Sequence, residues 1–182
     1  MVLGLARGGV PVGAEVAAAL GAPLDVFVVR KLGVPRWPEL AMGAIASGGS
    51  VILNDQVVRS LQIGDDELRA VIDAETEELA RREAAYRGTG PGLDLKAKTV
   101  IIADDGIATG ASMLVAVRAV RMANPRQMVV AVPVGPQSAY ERLRGEVGDV
   151  VFATTPEHFE AVGQVYADFR QVSDAEVREL LA

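Results

Sequence analysis

Five short runs rich in Val, Ile and Leu punctuate this chain: "VLGLA" from Val2, "LDVFVVR" from Leu24, "KTVIIAD" from Lys98, "QMVVAVPV" from Gln127 and "DVVFATT" from Asp149. Their apolar residues hardly alternate with polar ones. A strand of that kind must be covered on both faces, which is the condition of a parallel sheet between helices. The intervening segments supply the helices. "PVGAEVAAAL" runs from Pro11 to a stop at Gly21, "ASMLVAVRAVRMA" ends before Asn124-Pro125, and "PQSAYERLRG" ends in glycine. Strands alternating with helices predict one α/β domain over residues 1–182, an open, mostly parallel, twisted sheet flanked by helices. The first strand, helix and second strand form a βαβ unit, whose crossover should be right-handed.

Two stretches break the alternation. Residues 33–55 hold two β-like runs around a Gly-rich turn, "LAMGAIA", "SGG" and "SVILN", and predict a small hairpin. Residues 64–92 predict a long inserted helix. Asp65 and Asp66 lie near its start and Arg81, Arg82 and Arg87 near its end, as the helix dipole favours. "GTGPG", from Gly88 to Gly92, then predicts a mobile joint. Within the C-terminal segment, 155–182, "DAEVRELLA" predicts a closing helix.

A formal net charge of −6 and a pI of about 4.9 oppose binding to a nucleic acid backbone. The chain has no cysteine, which removes disulfides and thiolate metal sites. No apolar run approaches the ~20 residues that span a bilayer. The N-terminus "MVLGLARGG" lacks the basic start of a signal peptide. No membrane partner is expected, and the cytoplasm is the default location.

Chemistry concentrates in "VIIADDGIATGAS", Val100 to Ser112. In open α/β sheets, ligands bind beyond the carboxyl ends of strands, where Asp104 and Asp105 fall. Gly106, Ile107, Ala108, Thr109, Gly110, Ala111 and Ser112 then lead into a helix. A helix N-terminus offers unpaired N–H groups and the positive end of a dipole. Small residues leave that backbone open to a phosphate, and Thr109 and Ser112 add hydroxyl donors. The two carboxylates accept hydrogen bonds and suit a sugar diol. A ribose 5-phosphate satisfies both halves.

This stretch resembles the phosphoribosyl pyrophosphate (PRPP) signature of the type I phosphoribosyltransferases: four apolar residues, two acids, then a small-residue Thr-Gly loop. "LARGGVP" resembles the family's pyrophosphate loop, where the backbone often takes a non-proline cis peptide. By position that bond is Ala6–Arg7. The resemblance assigns Ala6, Arg7, Gly8 and Gly9 to pyrophosphate, with Arg30 and Lys31 of "VVRKLGVP" as further cations. It implies Asp104, Asp105, Arg7 and Lys31 as the catalytic set. It also implies Mg²⁺, supported by Asp104 and Asp105 mainly through bound PRPP.

"GVPRWPELAMGAIASGG", the long helix and "FEAVGQVYADFRQVSDAEV" resemble a bacterial subgroup of this family. Its members usually carry a helical segment before the first strand, so a missing N-terminal segment is expected here. The resemblance makes the hairpin a flap, with Trp37 and Glu39 in it, and residues 155–182 a hood.

The implied reaction moves the ribose 5-phosphate of PRPP onto a nitrogen acceptor, a nucleobase in most of the family, with release of pyrophosphate. Enzymes for 6-oxopurines commonly carry an Asp where Ala108 stands, which counts against that acceptor. "FEAVGQVYADF" resembles their base-binding hood and makes Phe159, Tyr166 and Asp168 acceptor-binding candidates. Packing is the competing expectation for the aromatics, and a solvated side chain is expected for His158. A non-catalytic PRPP-binding regulator is the alternative function, and a receiver-like domain with an acidic metal pocket ranks last. Subunit pairing is common in the family, so a homodimer is the implied assembly.

Overall fold

The structure, a computed structural model, describes residues 1–88 and 92–182. Most of the joint expected at 88–92 therefore lies outside the described residues. Five strands form the main sheet: β1 (Val2–Leu5), β2 (Leu24–Phe27), β6 (Thr99–Ala103), β7 (Gln127–Val134) and β8 (Asp149–Thr154). All neighbours are parallel, in the order β2-β1-β6-β7-β8. The helices α1 (Gly9–Leu20), α4 (Ala111–Met122) and α5 (Gln137–Arg144) connect them.

Residue parity in the strands explains the layers. Val2 and Ala103 turn to one face, where they pack with Ala17 of α1. Leu3, Val100 and Ile102 turn to the other, against Met113, Val117 and Val120 of α4 and Leu143 of α5. Each of these large side chains is removed from water, which contributes roughly 1.5–3 kcal/mol apiece. The apolar runs are continuous because both faces are covered.

The strand order sets the site. From β1 the chain leaves through α1 toward β2, and from β6 it leaves through α4 toward β7, on the opposite side. The carboxyl ends of β1 and β6 are neighbours, with Gly4 paired to Ala103. Between them lies the crevice where a doubly wound sheet receives ligands.

The run "LDVFVVR" is not one strand. It leaves the main sheet after Phe27 and enters a second, antiparallel sheet as β3 (Val29–Val34), beside β4 (Trp37–Ala46) and β5 (Ser50–Leu53). Ser47 pins the crossing point: its Oγ accepts from the buried Val28 N–H at 2.9 Å, and its own N–H donates to the Val28 carbonyl at 2.8 Å. β4 and β5 are the expected hairpin, and β3 extends it to three strands. A short helix that the sequence reading lacked, α2 (Asp55–Ser60), follows. Asn54 caps it by accepting from Val57 N–H.

The long helix α3 (Asp65–Arg87) packs on the small sheet. Leu79 and Tyr86 share a core with Leu32, Met42, Ile45 and Val177. Val177 belongs to α6 (Asp174–Leu181), which a reciprocal Ser173–Glu176 capping box starts. Between β8 and α6 the chain is irregular apart from one 3₁₀ turn, Val162–Val165.

Candidate active site

The loops beyond β1 and β6 press together without an intervening side chain. A Cβ on Gly9 would lie 2.5 Å from the Ala103 carbonyl oxygen and 2.8 Å from Asp104 Cα. One on Gly8 would run into Asp105 Oδ2. The two glycines thus let the backbone after β1 lie directly on the acid pair. The Ala6–Arg7 peptide beside them is cis, at the bond the resemblance implied.

Asp105 N–H donates to Asp104 Oδ1 at 2.9 Å. Burial, and then the charge of Asp105, raise the Asp104 carboxyl from 3.8 to about 7. Burial raises Asp105 as well. Among the described residues no Lys or Arg offsets either charge. Two adjacent, partly desolvated carboxylates without a cation are costly. A proton, a metal ion or hydroxyl donors would relieve them.

Past the acids, Ile107 is buried and anchors the loop by donating its N–H to the Val134 carbonyl at 2.9 Å. Ala108, Thr109, Ala111 and Ser112 are exposed. Gly110 ends the loop in the left-handed region (φ 76°), and no side chain caps α4. Ala111 N–H makes a long hydrogen bond to Thr109 Oγ1 at 3.4 Å, and the N–H groups that follow it at the helix start are open to an anion.

The C-terminal segment is seated on this loop. Tyr166 O–H donates to the Asp105 carbonyl at 2.5 Å. Val162 packs against Gly106, and the Tyr166 and Phe169 rings lie 5.0 Å apart. Tyr166, Asp168 and Phe169, with Gly8, Pro11 and Asp105, line a cavity of about 520 Å³. Tyr166 and Asp168 are therefore at the crevice, whereas Phe159 lies outside that lining and is half-buried. His158 is exposed.

The expected cations sit apart from one another. Arg7 reaches Asp174 of α6 at 3.4 Å, and Tyr86 O–H donates to the same carboxyl oxygen at 2.9 Å. Arg30 is held by Glu75 on α3, at 2.7 Å through Nε. Lys31 meets Glu39 of β4 at 3.3 Å. Arg30 and Lys31 line a separate cavity of about 730 Å³ between the small sheet and α3. Asp174 and Val162 escaped the sequence reading: Ser173-Asp174 carries only the signal of a helix start, and an isolated valine carries none.

Among the described residues, no group of three or more His, Cys, Asp or Glu side chains converges to cage a metal ion. Asp104 and Asp105 supply a few hard oxygen donors and leave the other positions to ligand or water. That suits Mg²⁺, which is commonly bound through one or two carboxylates plus substrate phosphates.

Residues 39–170 match the phosphoribosyl transferase domain model. The chain belongs to that family. Two curated relatives from Mycobacterium tuberculosis, Rv0571c of strain H37Rv and MT0597 of strain CDC 1551 / Oshkosh, are provisionally named phosphoribosyl transferases. Each is 48% identical over 177 residues, which is 97% of this chain. The chain spans 40% of the length of those relatives. The crystal structure of TT1426 from Thermus thermophilus is 42% identical and superposes with a TM-score of 0.84, over 99% of this chain and 85% of that one. No helix among the described residues is long and apolar enough to cross a membrane.

Proposed function

We propose that this domain transfers the ribose 5-phosphate of PRPP to a nitrogen acceptor, with Mg²⁺ dependence and release of pyrophosphate. The observation that carries the reading is the juxtaposition at the crevice. An acid pair without a cation stands directly before an uncapped helix start with exposed hydroxyls. One end wants hydroxyl donors, and the other wants a phosphate.

In this mechanism the C1–O bond to pyrophosphate breaks, a C1–N bond forms, and the acceptor's proton leaves to solvent or a nearby carboxylate. Asp104 and Asp105 hold the ribose hydroxyls and stabilise positive charge building on the sugar. The backbone from Ala6 to Gly9 faces the diphosphate. Mg²⁺, when bound, supplies charge neutralisation of the leaving group. Lys31 pairs with a fully exposed Glu39. Such surface pairs are worth about 0–1 kcal/mol, so Lys31 gives up this partner at little cost, and meeting the diphosphate also requires it to leave the separate cavity it lines. Arg30, half-buried against Glu75, fastens the small sheet to α3 instead.

The acceptor enters the 520 Å³ cavity beside Asp105. Tyr166 and Phe169 offer ring surface, while Asp168 and Glu179 offer acceptor oxygens. A flat nitrogen heterocycle with N–H donors fits those walls.

The test is calorimetric titration with PRPP, with and without Mg²⁺, followed by a pyrophosphate-release screen over free bases. Binding with base-dependent release supports the transferase and names its acceptor. Binding without release for any base favours a PRPP sensor. The double variant Asp104→Asn/Asp105→Asn should stay folded and lose PRPP; unchanged affinity would overturn the ribose assignment.

A further inference from the structure

Arg142 lies in the last turn of α5, 32 residues beyond Gly110 in the chain. Its side chain nevertheless returns to the loop: a Cβ built on Gly110 would come within 2.8 Å of Arg142 Nη2. Gly110 is the N-cap of α4. A guanidinium is thus parked at the positive end of a helix dipole, where a cation is the wrong sign. The other arginines nearby have settled elsewhere. Arg118 and Arg121 of α4 pair with Glu146, and Arg144 stacks over Tyr140 at 5.9 Å. Among the described residues, no ion pair engages Arg142.

Two positive groups facing each other favour an anion between them. The exposed hydroxyls of Thr109 and Ser112 are on the same loop and are further donors to such an anion. We infer that Arg142 is a phosphate-binding residue of this site, its guanidinium clamping the 5-phosphate of the ribose against the start of α4. The inference rests on the reading of residues 104–112 as the ribose 5-phosphate site and adds a side chain that lies outside that stretch. Arg142 makes the site selective for a phosphorylated ribose over free ribose, through a fork that a neutral side chain lacks.

The test compares ribose 5-phosphate, PRPP and inorganic pyrophosphate as calorimetric titrants of the unmodified protein, Arg142→Ala and Arg142→Lys. Arg142 is exposed, so the fold should tolerate both changes; circular dichroism verifies it. Arg142→Ala should weaken ribose 5-phosphate and PRPP by about ten- to a hundredfold, the loss of a charge-assisted hydrogen bond pair. Pyrophosphate affinity should not change, and Arg142→Lys should recover part of the loss. If the unmodified protein binds ribose 5-phosphate and Arg142→Ala binds it equally well, the Arg142 assignment falls and the loop reading stands. If the unmodified protein binds neither sugar phosphate, both fall. Equal losses for pyrophosphate and ribose 5-phosphate would also overturn the assignment, because they would mean a general field effect.

Discussion

Asp104→Asn should stabilise the ligand-free protein near neutral and alkaline pH while it removes PRPP binding. The Asp104 carboxyl is raised from 3.8 to about 7, first by burial and then by Asp105. At ~1.4 kcal/mol per pH unit, that rise is about 4 kcal/mol of native-state preference for the proton. The folded value exceeds the unfolded one, so this proton stabilises the native state fully below about pH 4. The stabilisation is lost as pH rises through about 7. Asn has no proton to lose, and its amide oxygen still accepts from Asp105 N–H, now at 2.9 Å. The amide also sacrifices hydration on burial, so about half of the 4 kcal/mol should be recovered, roughly 2 kcal/mol near pH 8. For a chain of 182 residues, that shifts Tm upward by about 4–8 °C. Thermal melts without ligand, from about pH 4.5 to pH 8, read it directly. The two proteins should converge at the acid end and separate with rising pH. A constant difference across the range would refute the account of an uncompensated buried acid. In Asp105→Asn the Asp104 carboxyl should titrate lower, because one of its two causes is gone.

Gly9→Ala meets backbone on two sides, Ala103 O and Asp104 Cα; it should cost about 1–3 kcal/mol in urea melts, and an unchanged midpoint would mean the two loops are not in contact. Gly8→Ala meets only the movable carboxylate of Asp105, so the protein should keep its Tm and lose ribose 5-phosphate affinity; retained affinity would separate Asp105 from the sugar. Tyr166→Phe removes the 2.5 Å bond to the Asp105 carbonyl, and stability should fall by about 1 kcal/mol together with kcat/KM in the transferase assay. Asp174→Asn releases Arg7 from its ion pair, and pyrophosphate should bind several-fold tighter at low salt; no change would place the Arg7 guanidinium away from the diphosphate.

What was legible in the sequence was what is contiguous in the chain. Strand end, acid pair, turn and helix start follow one another from Val100 to Ser112, and the backbone alone arranges them. The same holds for "RGG", whose glycines let one loop pack directly on another. The break of "LDVFVVR" at Val28 was not legible, because every residue there favours a strand. The switch of sheets is imposed by Ser47, which arrives from 19 residues away. Arg30 and Lys31 look alike in sequence, yet Glu75 on a distant helix holds one and an exposed Glu39 holds the other. The Tyr166 ring is legible in the sequence, whereas its hydroxyl fastens the Asp105 backbone across 61 residues. The division has a functional sense. In the proposed reading, a sugar phosphate meets main-chain groups and a local motif that read directly from sequence, and Arg142 joins them only through the fold. The acceptor proposed for the crevice would meet side chains that the C-terminal segment lays over it, and their neighbours exist only once the chain has folded. The identity of the acceptor must therefore be sought in variants of Tyr166, Asp168 and Phe169, with the acid pair left intact.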